Sequence, residues 1–376
     1  MACFSCANLE NFNEVFSCLN NYTEEEKISR SIDKQLRREL KNKRHEAKIL
    51  LRGVGECGKT TVFKQLRLMY TAGFKNHEKD SFLITCRRNI MQSIQELMNG
   101  MDILGMSYES SVNEEHAKVL RPFTGQCMKM LDDNLECKIS EEMISRIATI
   151  WKDAEVQKCY KRTNEYPLME CAQYFLNNLQ ILRDDHQITN DDILHARQVT
   201  KKACEETFDV SYDHIRLVLK MIDIGGQRKE RGLRWLQCFS EITSILYIAA
   251  LSDFSLFSLE NQNLNRLEDS LADYTLITNS SFTQNVNFIV FLNKEDVFQE
   301  RLKFLKLSDF PATRDYTGNN SFNDGKEFIK SKFESICSSR AHYHFTCATD
   351  TTSLKKVFYS VAIQILQYNM NQFSPI

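Results

Sequence analysis

Apolar residues recur every four positions near the start of the chain, at Ile28, Ile32, Leu36 and Leu40. This period predicts a helix with one apolar stripe, and Thr23-Glu-Glu-Glu26 supplies a capping-box pattern at its start. Positions 27–48 also carry nine Lys or Arg against three acidic residues. Two interpretations stay open: a helix surrounded by solvent, or a helix whose stripe docks on a partner protein or a membrane surface.

Two segments with an α/β pattern flank a long stretch of helical periodicity. Ala47–Arg52 predicts a buried strand, and Lys59–Tyr70 predicts a helix after a glycine-containing loop. The next strand of a simple α/β unit would follow within a few residues, but strand-like runs return only after His195. The segment between them predicts helices near Phe82–Leu104, Glu114–Asp132, Glu141–Asp153 and Leu168–Leu182. We therefore expect an all-helical insertion in an α/β domain.

The α/β pattern resumes after the insertion. Apolar and β-branched runs predict strands at Thr207–Asp213, Arg216–Ile222, Ser244–Leu251, Asn287–Leu292 and His344–Cys347. A closing helix starts at Ser353. The helical period predicts that its inward face consists of Leu354, Phe358, Val361 and Ile365.

Composition sets limits and does not by itself indicate a function. The hydrophobic share of 42%, the charged share of 26% and the net charge of −2 are ordinary for a soluble globular protein. This balance gives no reason to expect nucleic-acid binding. The thirteen Cys show no Cys/His metal spacing and no secretory signal precedes them, so reduced thiols are expected. The longest apolar runs are too short to cross a bilayer.

The loop Gly53-Val-Gly-Glu-Cys-Gly-Lys-Thr60 has the spacing of a phosphate-binding loop. Successive backbone N–H groups at a helix N-terminus can surround phosphate oxygens. Gly53 and Gly58 relieve the backbone, and Lys59 can reach the β- and γ-phosphates. The Thr60 hydroxyl can coordinate Mg²⁺. The strand predicted before the loop and the helix predicted after it support this interpretation.

Asp223-Ile-Gly-Gly-Gln227 predicts the γ-phosphate side of the same site. Asp223 lies at the end of a predicted strand and can hold Mg²⁺ through water. Gly226 offers a backbone N–H, and Gln227 can orient an attacking water. In Arg197-Gln-Val-Thr200, Thr200 can complete the metal shell and Arg197 can neutralise charge on the phosphoryl oxygens.

Asn293-Lys-Glu-Asp296 predicts a preference for guanine. The Asp296 carboxylate can accept hydrogen bonds from N1–H and the exocyclic amine of guanine, whereas adenine presents an acceptor at one of these positions. Sites built on such bonds discriminate by roughly 10⁴ to 10⁵. Lys294 can stack its stem over the purine ring, and the backbone of Ala348 can contact the guanine oxygen.

With these motifs in this order, the chain resembles the α subunits of heterotrimeric G proteins. The similarity runs from about Glu24 to Tyr368, and Lys34-Gln-Leu-Arg-Arg38 favours a q-like subclass. Markers outside the nucleotide loops are Lys48-Ile-Leu-Leu51, Lys64-Gln-Leu-Arg67, Trp151-Lys-Asp153, Trp235-Leu-Gln-Cys-Phe239, Leu251-Ser-Asp253 and His344-Phe-Thr-Cys-Ala-Thr-Asp350. The resemblance implies an α/β fold: a Ras-like P-loop GTPase domain with an inserted all-helical domain. Its parts would be a tail and helix at 1–46, the GTPase domain at 47–72 and 195–376, and the helical domain at 73–194.

The resemblance also implies a slow, Mg²⁺-dependent GTPase that relays signals from seven-helix receptors to effectors. The GDP form would bind a βγ dimer, and the closing helix would contact the receptor. Arg197 and Gln227 would be catalytic, and Thr60, Thr200 and, through water, Asp223 would hold the metal. The nucleotide-binding set would comprise Gly53, Gly55, Glu56, Cys57, Gly58, Lys59, Thr60, Thr61, Leu194, His195, Ala196, Arg197, Thr200, Asp223, Gly225, Gly226, Gln227, Asn293, Lys294, Asp296 and Ala348.

The N-terminus predicts a lipid anchor of one kind. Ala2 stands where myristoylation requires Gly, so the expected modification is palmitate on Cys3 or Cys6, with unmodified thiols as the alternative. The basic helix would help to hold such an anchor at an anionic leaflet. We therefore expect a peripheral protein on the cytoplasmic face of the plasma membrane, and no nucleic-acid partner.

Several positions depart from the family pattern. Cys57 stands where Ser is usual, and because a thiol at a helix N-terminus tends to acidify, we hypothesise redox sensitivity. Arg52 replaces an apolar residue, Asn178 replaces an Asp, Lys202 replaces a glycine, and one extra residue lies near Gly232. The last two motivate an alternative: a hydrolysis-impaired scaffold that binds nucleotide, or a competitor for βγ. A P-loop kinase would leave the guanine motif and the glutamine unexplained.

Overall fold

The computed structural model describes residues 28–35, 45–133, 135, 137–198, 204–212, 215–223, 242–258 and 264–372. Helix α1 spans 28–35. Its apolar residues Ile28 and Ile32 are 57% and 52% exposed, so this part of the predicted stripe faces solvent. The rest of the predicted helix, with Leu36 and Leu40, lies outside the described residues.

A six-stranded sheet forms the centre of the α/β part. Its strands are β1 (Glu46–Arg52), β2 (Cys204–Tyr212), β3 (Ile215–Asp223), β4 (Ser244–Ala250), β5 (Asn287–Asn293) and β6 (Ala341–Phe345). The order is β2-β3-β1-β4-β5-β6, with β2 antiparallel to β3 and all other neighbours parallel. Every residue of β4 and β5 is buried, as expected for parallel strands covered on both faces.

Helices cover both faces of this sheet. They are α2 (Lys59–Tyr70), α9 (Arg266–Thr278), α10 (Glu295–Arg301), α11 (Phe322–Ile336) and α12 (Thr351–Gln372). On one face, α2 and α12 share an apolar cluster with β1, β3 and β4. On the other face, Tyr274 of α9 and Phe333 of α11 belong to a second cluster. The inward face predicted for the closing helix is confirmed, because all four of its residues are buried: Leu354, Phe358, Val361 and Ile365.

The segment between α2 and β2 is helical and has its own apolar cluster. Its helices are α3 (Asn76–Ile103), α4 (Ser111–Asp132), α5 (Glu141–Lys152), α6 (Ala154–Lys161), α7 (Ala172–Asn177) and α8 (Asn190–His195). Side chains at the N-caps of α4, α5, α6 and α8 accept hydrogen bonds from the first turn, which defines where each begins. The predicted fold class, an α/β sheet with an all-helical insertion, is confirmed. The boundaries at 72 and 194 stay predictions.

Two element predictions are wrong in detail. The helix predicted at Leu168–Leu182 is divided, because Asn178 leaves helical geometry (φ −119°, ψ 50°) between α7 and a 3₁₀ helix at Leu179–Leu182. The last strand spans Ala341–Phe345 and not His344–Cys347, and just beyond its end Thr346 Oγ1 donates to Asn293 Oδ1 at 3.1 Å. Among the described residues, no helix has both the length and the apolar content needed to span a bilayer.

Candidate functional site

The carboxyl ends of β1, β3, β5 and β6 lie at one edge of the sheet, where ligands of parallel α/β sheets bind. A cavity of about 440 Å³ opens there. Its far side is formed by the helical segment through Glu170, Cys171, Gln173 and Tyr174. Of the predicted nucleotide-binding set, it is lined by Gly55, Glu56, Gly58, Lys59, Thr60, Thr61, Leu194, His195, Ala196, Arg197, Asn293, Lys294, Asp296 and Ala348.

Two glycines allow the phosphate-binding loop to pack closely on its neighbours. Gly53 has φ 146°, and a Cβ there would lie 2.1 Å from the carbonyl oxygen of Ile248. Gly58 has φ 108°, and a Cβ there would lie 2.2 Å from Asn293 Nδ2. Side chains are therefore excluded at both positions, as the spacing of the motif requires.

Lys59 lies inside this loop. Its side chain is buried, and Nζ donates to the carbonyl oxygens of Gly53 (3.0 Å) and Val54 (2.8 Å). The ammonium group thus stays at the loop, on the wall of the cavity that the predicted triphosphate would enter.

The expectation that Cys57 is acidified is wrong. The residue is fully buried, and burial raises the pKa of its thiol, although Lys59 opposes this effect. Desolvation disfavours the thiolate more than the nearby ammonium favours it. Cys57 contributes to the loop through its backbone, since its carbonyl oxygen accepts a hydrogen bond from Asn293 Nδ2 at 2.9 Å.

Thr60 lines the cavity and contacts Asp223, which does not itself line it: Thr60 Oγ1 donates to Asp223 Oδ2 at 3.4 Å. Burial raises the pKa of Asp223 to about 6, against the lowering effect of Lys59. The other oxygen, Oδ1, is buried and has no hydrogen-bond partner among the described residues. A hydroxyl and a carboxylate are oxygen donors of the kind that Mg²⁺ prefers, so these two residues fit the metal. Thr200, Gly225, Gly226 and Gln227 lie outside the described residues.

No described segment groups three or more His, Cys, Asp or Glu side chains into a metal site. The fit therefore rests on Thr60 and Asp223 alone. Magnesium commonly binds through one or two protein ligands, with water and substrate phosphates at its other positions.

Asn293 joins three loops at the base end of the cavity. Besides its bond to Cys57, its Oδ1 accepts hydrogen bonds from Thr346 Oγ1 (3.1 Å) and from the Ala348 N–H (3.0 Å). The predicted contact between Ala348 and guanine stays a prediction. Asp296 lines the cavity and is exposed, and within the described ranges no group donates a hydrogen bond to it.

Lys294 follows Asn293 in a left-handed conformation, with φ 63°. Its Nζ pairs with Glu170 of the helical segment. Glu170 also accepts from Ser252 (2.9 Å) and pairs with Arg301 (3.2 Å). Burial opposes ionisation of Glu170, but Lys294 and Arg301 lower its pKa overall. This carboxylate connects the helical segment to the base-recognition loop.

Arg197 reaches the phosphate-binding loop from the other side and pairs with Glu56. Glu56 is also held by Arg266, whose Nη1 lies 3.0 Å from Oε2. Arg266 Nη2 donates to the carbonyl oxygen of Gly55 at 3.1 Å. Glu56, which also pairs with Arg266, therefore holds the guanidinium group of Arg197 beside the loop.

The comparison with known families agrees with this geometry. The family model of the G-protein alpha subunit matches residues 26–365. The chain belongs to this family. It is a guanine nucleotide-binding alpha subunit of G-protein signalling, and members of its family are generally GTPases. The q-like subclass stays a prediction.

The sequence motifs of an alpha subunit do not reveal every residue at this cavity. Glu170, Tyr174, Lys64 and Arg266 all line it and were missed as site residues. Tyr174 stacks on His195, with ring centroids 3.7 Å apart. Lys64 belongs to the family marker Lys64-Gln-Leu-Arg67, but that marker did not place it at the site. The other three lie in a helix or a turn, and no local pattern marked them.

Proposed function

We propose that this alpha subunit is a GTP-hydrolysing switch that relays signals from seven-helix receptors to effectors, with its GDP form bound to a βγ dimer. The observation that carries the proposal is the meeting of Lys59, Arg197 and Asp296 in one cavity. These three residues correspond to the three tasks of such a site: holding the phosphates, neutralising the transferred group and selecting the base. The family to which the chain belongs supports the same assignment.

Hydrolysis would use the phosphate-binding loop together with Thr60, Asp223, Arg197 and Gln227. Lys59 and the loop N–H groups would hold the β- and γ-phosphates, and Thr60 with Asp223 would hold Mg²⁺. A bound Mg²⁺ neutralises charge on the β- and γ-oxygens. Water oriented by Gln227 would attack the γ-phosphorus, the bond to the β–γ bridging oxygen would break, and that oxygen would leave on GDP. Arg197 would neutralise the charge that accumulates as this bond breaks.

The N-terminal residues would place the switch at the cytoplasmic face of the plasma membrane. Palmitate on Cys3 or Cys6 would supply the anchor. Helix α1 supports a docking role, because Ile28 and Ile32 are exposed on a segment with a basic surplus. An apolar stripe next to basic charge suits a βγ dimer or an anionic membrane surface.

Single-turnover hydrolysis tests this function. The purified chain is loaded with GTP without Mg²⁺, Mg²⁺ is added, and phosphate release is followed over one turnover. We expect one phosphate per bound GTP in the wild type and almost none in Gln227→Leu or Arg197→Ala. Retention of intact GTP by the wild type would contradict the proposal and favour the scaffold alternative.

A further inference from the structure

Asn89 is a polar residue in the middle of α3, and its side chain is buried, with 1% exposed. Its amide faces the backbone of one residue, Arg197. Asn89 Oδ1 accepts a hydrogen bond from the Arg197 N–H at 2.7 Å, and Asn89 Nδ2 donates to the Arg197 carbonyl oxygen at 3.2 Å. Both backbone groups of Arg197 are therefore satisfied by a single side chain 108 residues away in sequence.

The residues just before Arg197 are held from the opposite side by Lys64 of α2. Lys64 is buried, and its Nζ donates to the carbonyl oxygens of Ile193 (2.8 Å) and Ala196 (2.6 Å). These carbonyls lie at the C-terminal end of α8, where a helix leaves acceptors unsatisfied. The segment 193–197 is thus held by one side chain from the helical insertion and one from the α/β part.

This double attachment matters because Arg197 lies just beyond the end of α8, in no helix or strand. Backbone freedom at such a position would move the guanidinium group at the end of the long Arg197 side chain. A displacement of about 1 Å at a catalytic group can reduce the rate about 100-fold. The ion pair with Glu56 fixes the guanidinium end of Arg197, and the amide of Asn89 fixes its backbone end.

We propose that Asn89 is a positioning residue for hydrolysis, which sets the backbone of Arg197 so that its guanidinium group reaches the γ-phosphate, with Lys64 as the second point of attachment. The inference rests on the proposed GTPase function. It assigns to the helical insertion a direct part in the hydrolysis rate, through one buried amide.

A double-mutant cycle tests the proposal, because residues that act through one another are not additive. Phosphate release from bound GTP is measured in one turnover for the wild type, Asn89→Ala, Arg197→Ala and the double variant. We expect Asn89→Ala to slow hydrolysis by about 10- to 100-fold. In the Arg197→Ala background, the same change should slow it less than about 2-fold.

Asn113→Ala is the matched control. Asn113 is another buried asparagine of the helical insertion, and its Nδ2 donates to Asp153 at 2.7 Å, remote in sequence from Arg197. Its removal should lower the melting temperature and leave the hydrolysis rate unchanged. Asn89→Asp, which keeps the side-chain volume and the acceptor for the Arg197 N–H, enters the same cycle if Asn89→Ala fails to retain nucleotide.

The outcomes separate this inference from the proposed function. If Arg197→Ala hydrolyses GTP as fast as the wild type, the proposed catalytic role of Arg197 fails. If Arg197→Ala is slow but Asn89→Ala is as fast as the wild type, only the positioning role is overturned. Equal slowing by Asn89→Ala in both backgrounds, or equal slowing by Asn113→Ala, also overturns it.

Discussion

Arg52 and Asp273 form a buried ion pair directly beside the phosphate-binding loop. Arg52 Nη2 lies 2.9 Å from Asp273 Oδ1, and the side chains are 7% and 5% exposed. Arg52 is the last residue of β1, immediately before Gly53, and Asp273 lies on α9. Arg52, which departs from the family pattern, is therefore paired with an opposite charge that lies 221 positions later in the sequence.

Replacing Arg52 alone should lower the free energy of unfolding more than replacing both Arg52 and Asp273. Arg52→Leu leaves the Asp273 carboxylate buried without its cation, so we expect a loss of about 3–5 kcal/mol in the free energy of unfolding. The double variant Arg52→Leu/Asp273→Leu should recover to within about 1 kcal/mol of the wild type, because apolar residues of similar volume often replace a buried pair without loss. Urea unfolding at a fixed GDP concentration measures this, and simple additivity of the two single changes would contradict it.

Glu170 should slow the release of nucleotide. It connects the helical segment to Lys294 and Arg301, so Glu170→Gln leaves two half-buried cations without this carboxylate. We expect GDP dissociation to become at least about 10-fold faster, which corresponds to about 1.4 kcal/mol. Stopped-flow displacement of a fluorescent GDP analogue measures the rate.

Glu165→Gln is the control for this change. Glu165 belongs to the same helical segment and pairs with Arg162 on the surface, with 40% of its side chain exposed. An exposed pair of this kind contributes little, so its removal should leave GDP dissociation unchanged. Equal rates in Glu170→Gln and the wild type would show that the connection does not hold the nucleotide.

The Cys57 thiol should be protected from alkylation. The thiolate is the reactive form, and burial both covers Cys57 and raises its pKa above the ordinary value of 9.0. Iodoacetamide followed by peptide mass spectrometry should label Cys57 at least about 10-fold more slowly in the native chain than in urea. Cys204 is exposed and should be labelled in both. Rapid native labelling of Cys57 near pH 7 would restore the redox hypothesis.

Local patterns predicted the elements that carry the phosphate and base motifs. The helix at Lys59–Tyr70 has the same bounds in the sequence and in the structure. Strand β5 was predicted to within one residue, because a short apolar run rich in aromatic and β-branched residues and bounded by a polar loop favours a buried strand. Motif spacing then assigned Lys59, Asn293 and Asp296 to one site, and the cavity contains all three.

Sequence patterns could not predict pairs of residues that come into contact only in the folded chain. Asn89 interacts with Arg197, and Glu170 with Lys294, over separations of 108 and 124 residues. A buried Asn in an apolar helical pattern is interpreted as a packing residue, because the neighbouring sequence does not show which backbone groups its amide contacts. The pKa of the Cys57 thiol was expected to be lowered, but burial raises it. Burial depends on the whole fold and cannot be inferred from the position at a helix N-terminus.

Asp296→Asn should exchange the preferred base. An amide presents a donor where the carboxylate accepts, so the variant should favour xanthine, which carries an acceptor in place of the exocyclic amine. We expect GDP affinity to fall by at least about 100-fold and xanthosine diphosphate affinity to rise, since a polar group that the bound base covers and leaves mispaired is costly. Isothermal titration with both nucleotides measures the shift, and unchanged GDP affinity would place the base elsewhere.

The most direct test of the account is the nucleotide that the purified chain selects from an equal mixture of GTP and ATP in the presence of Mg²⁺. After removal of free nucleotide, chromatography of the released ligand should give about one GTP or GDP per chain and almost no ATP, as a discrimination of roughly 10⁴ requires. A chain that retains no guanine nucleotide, or retains ATP in similar amount, would contradict the central claim that this cavity binds guanine nucleotides.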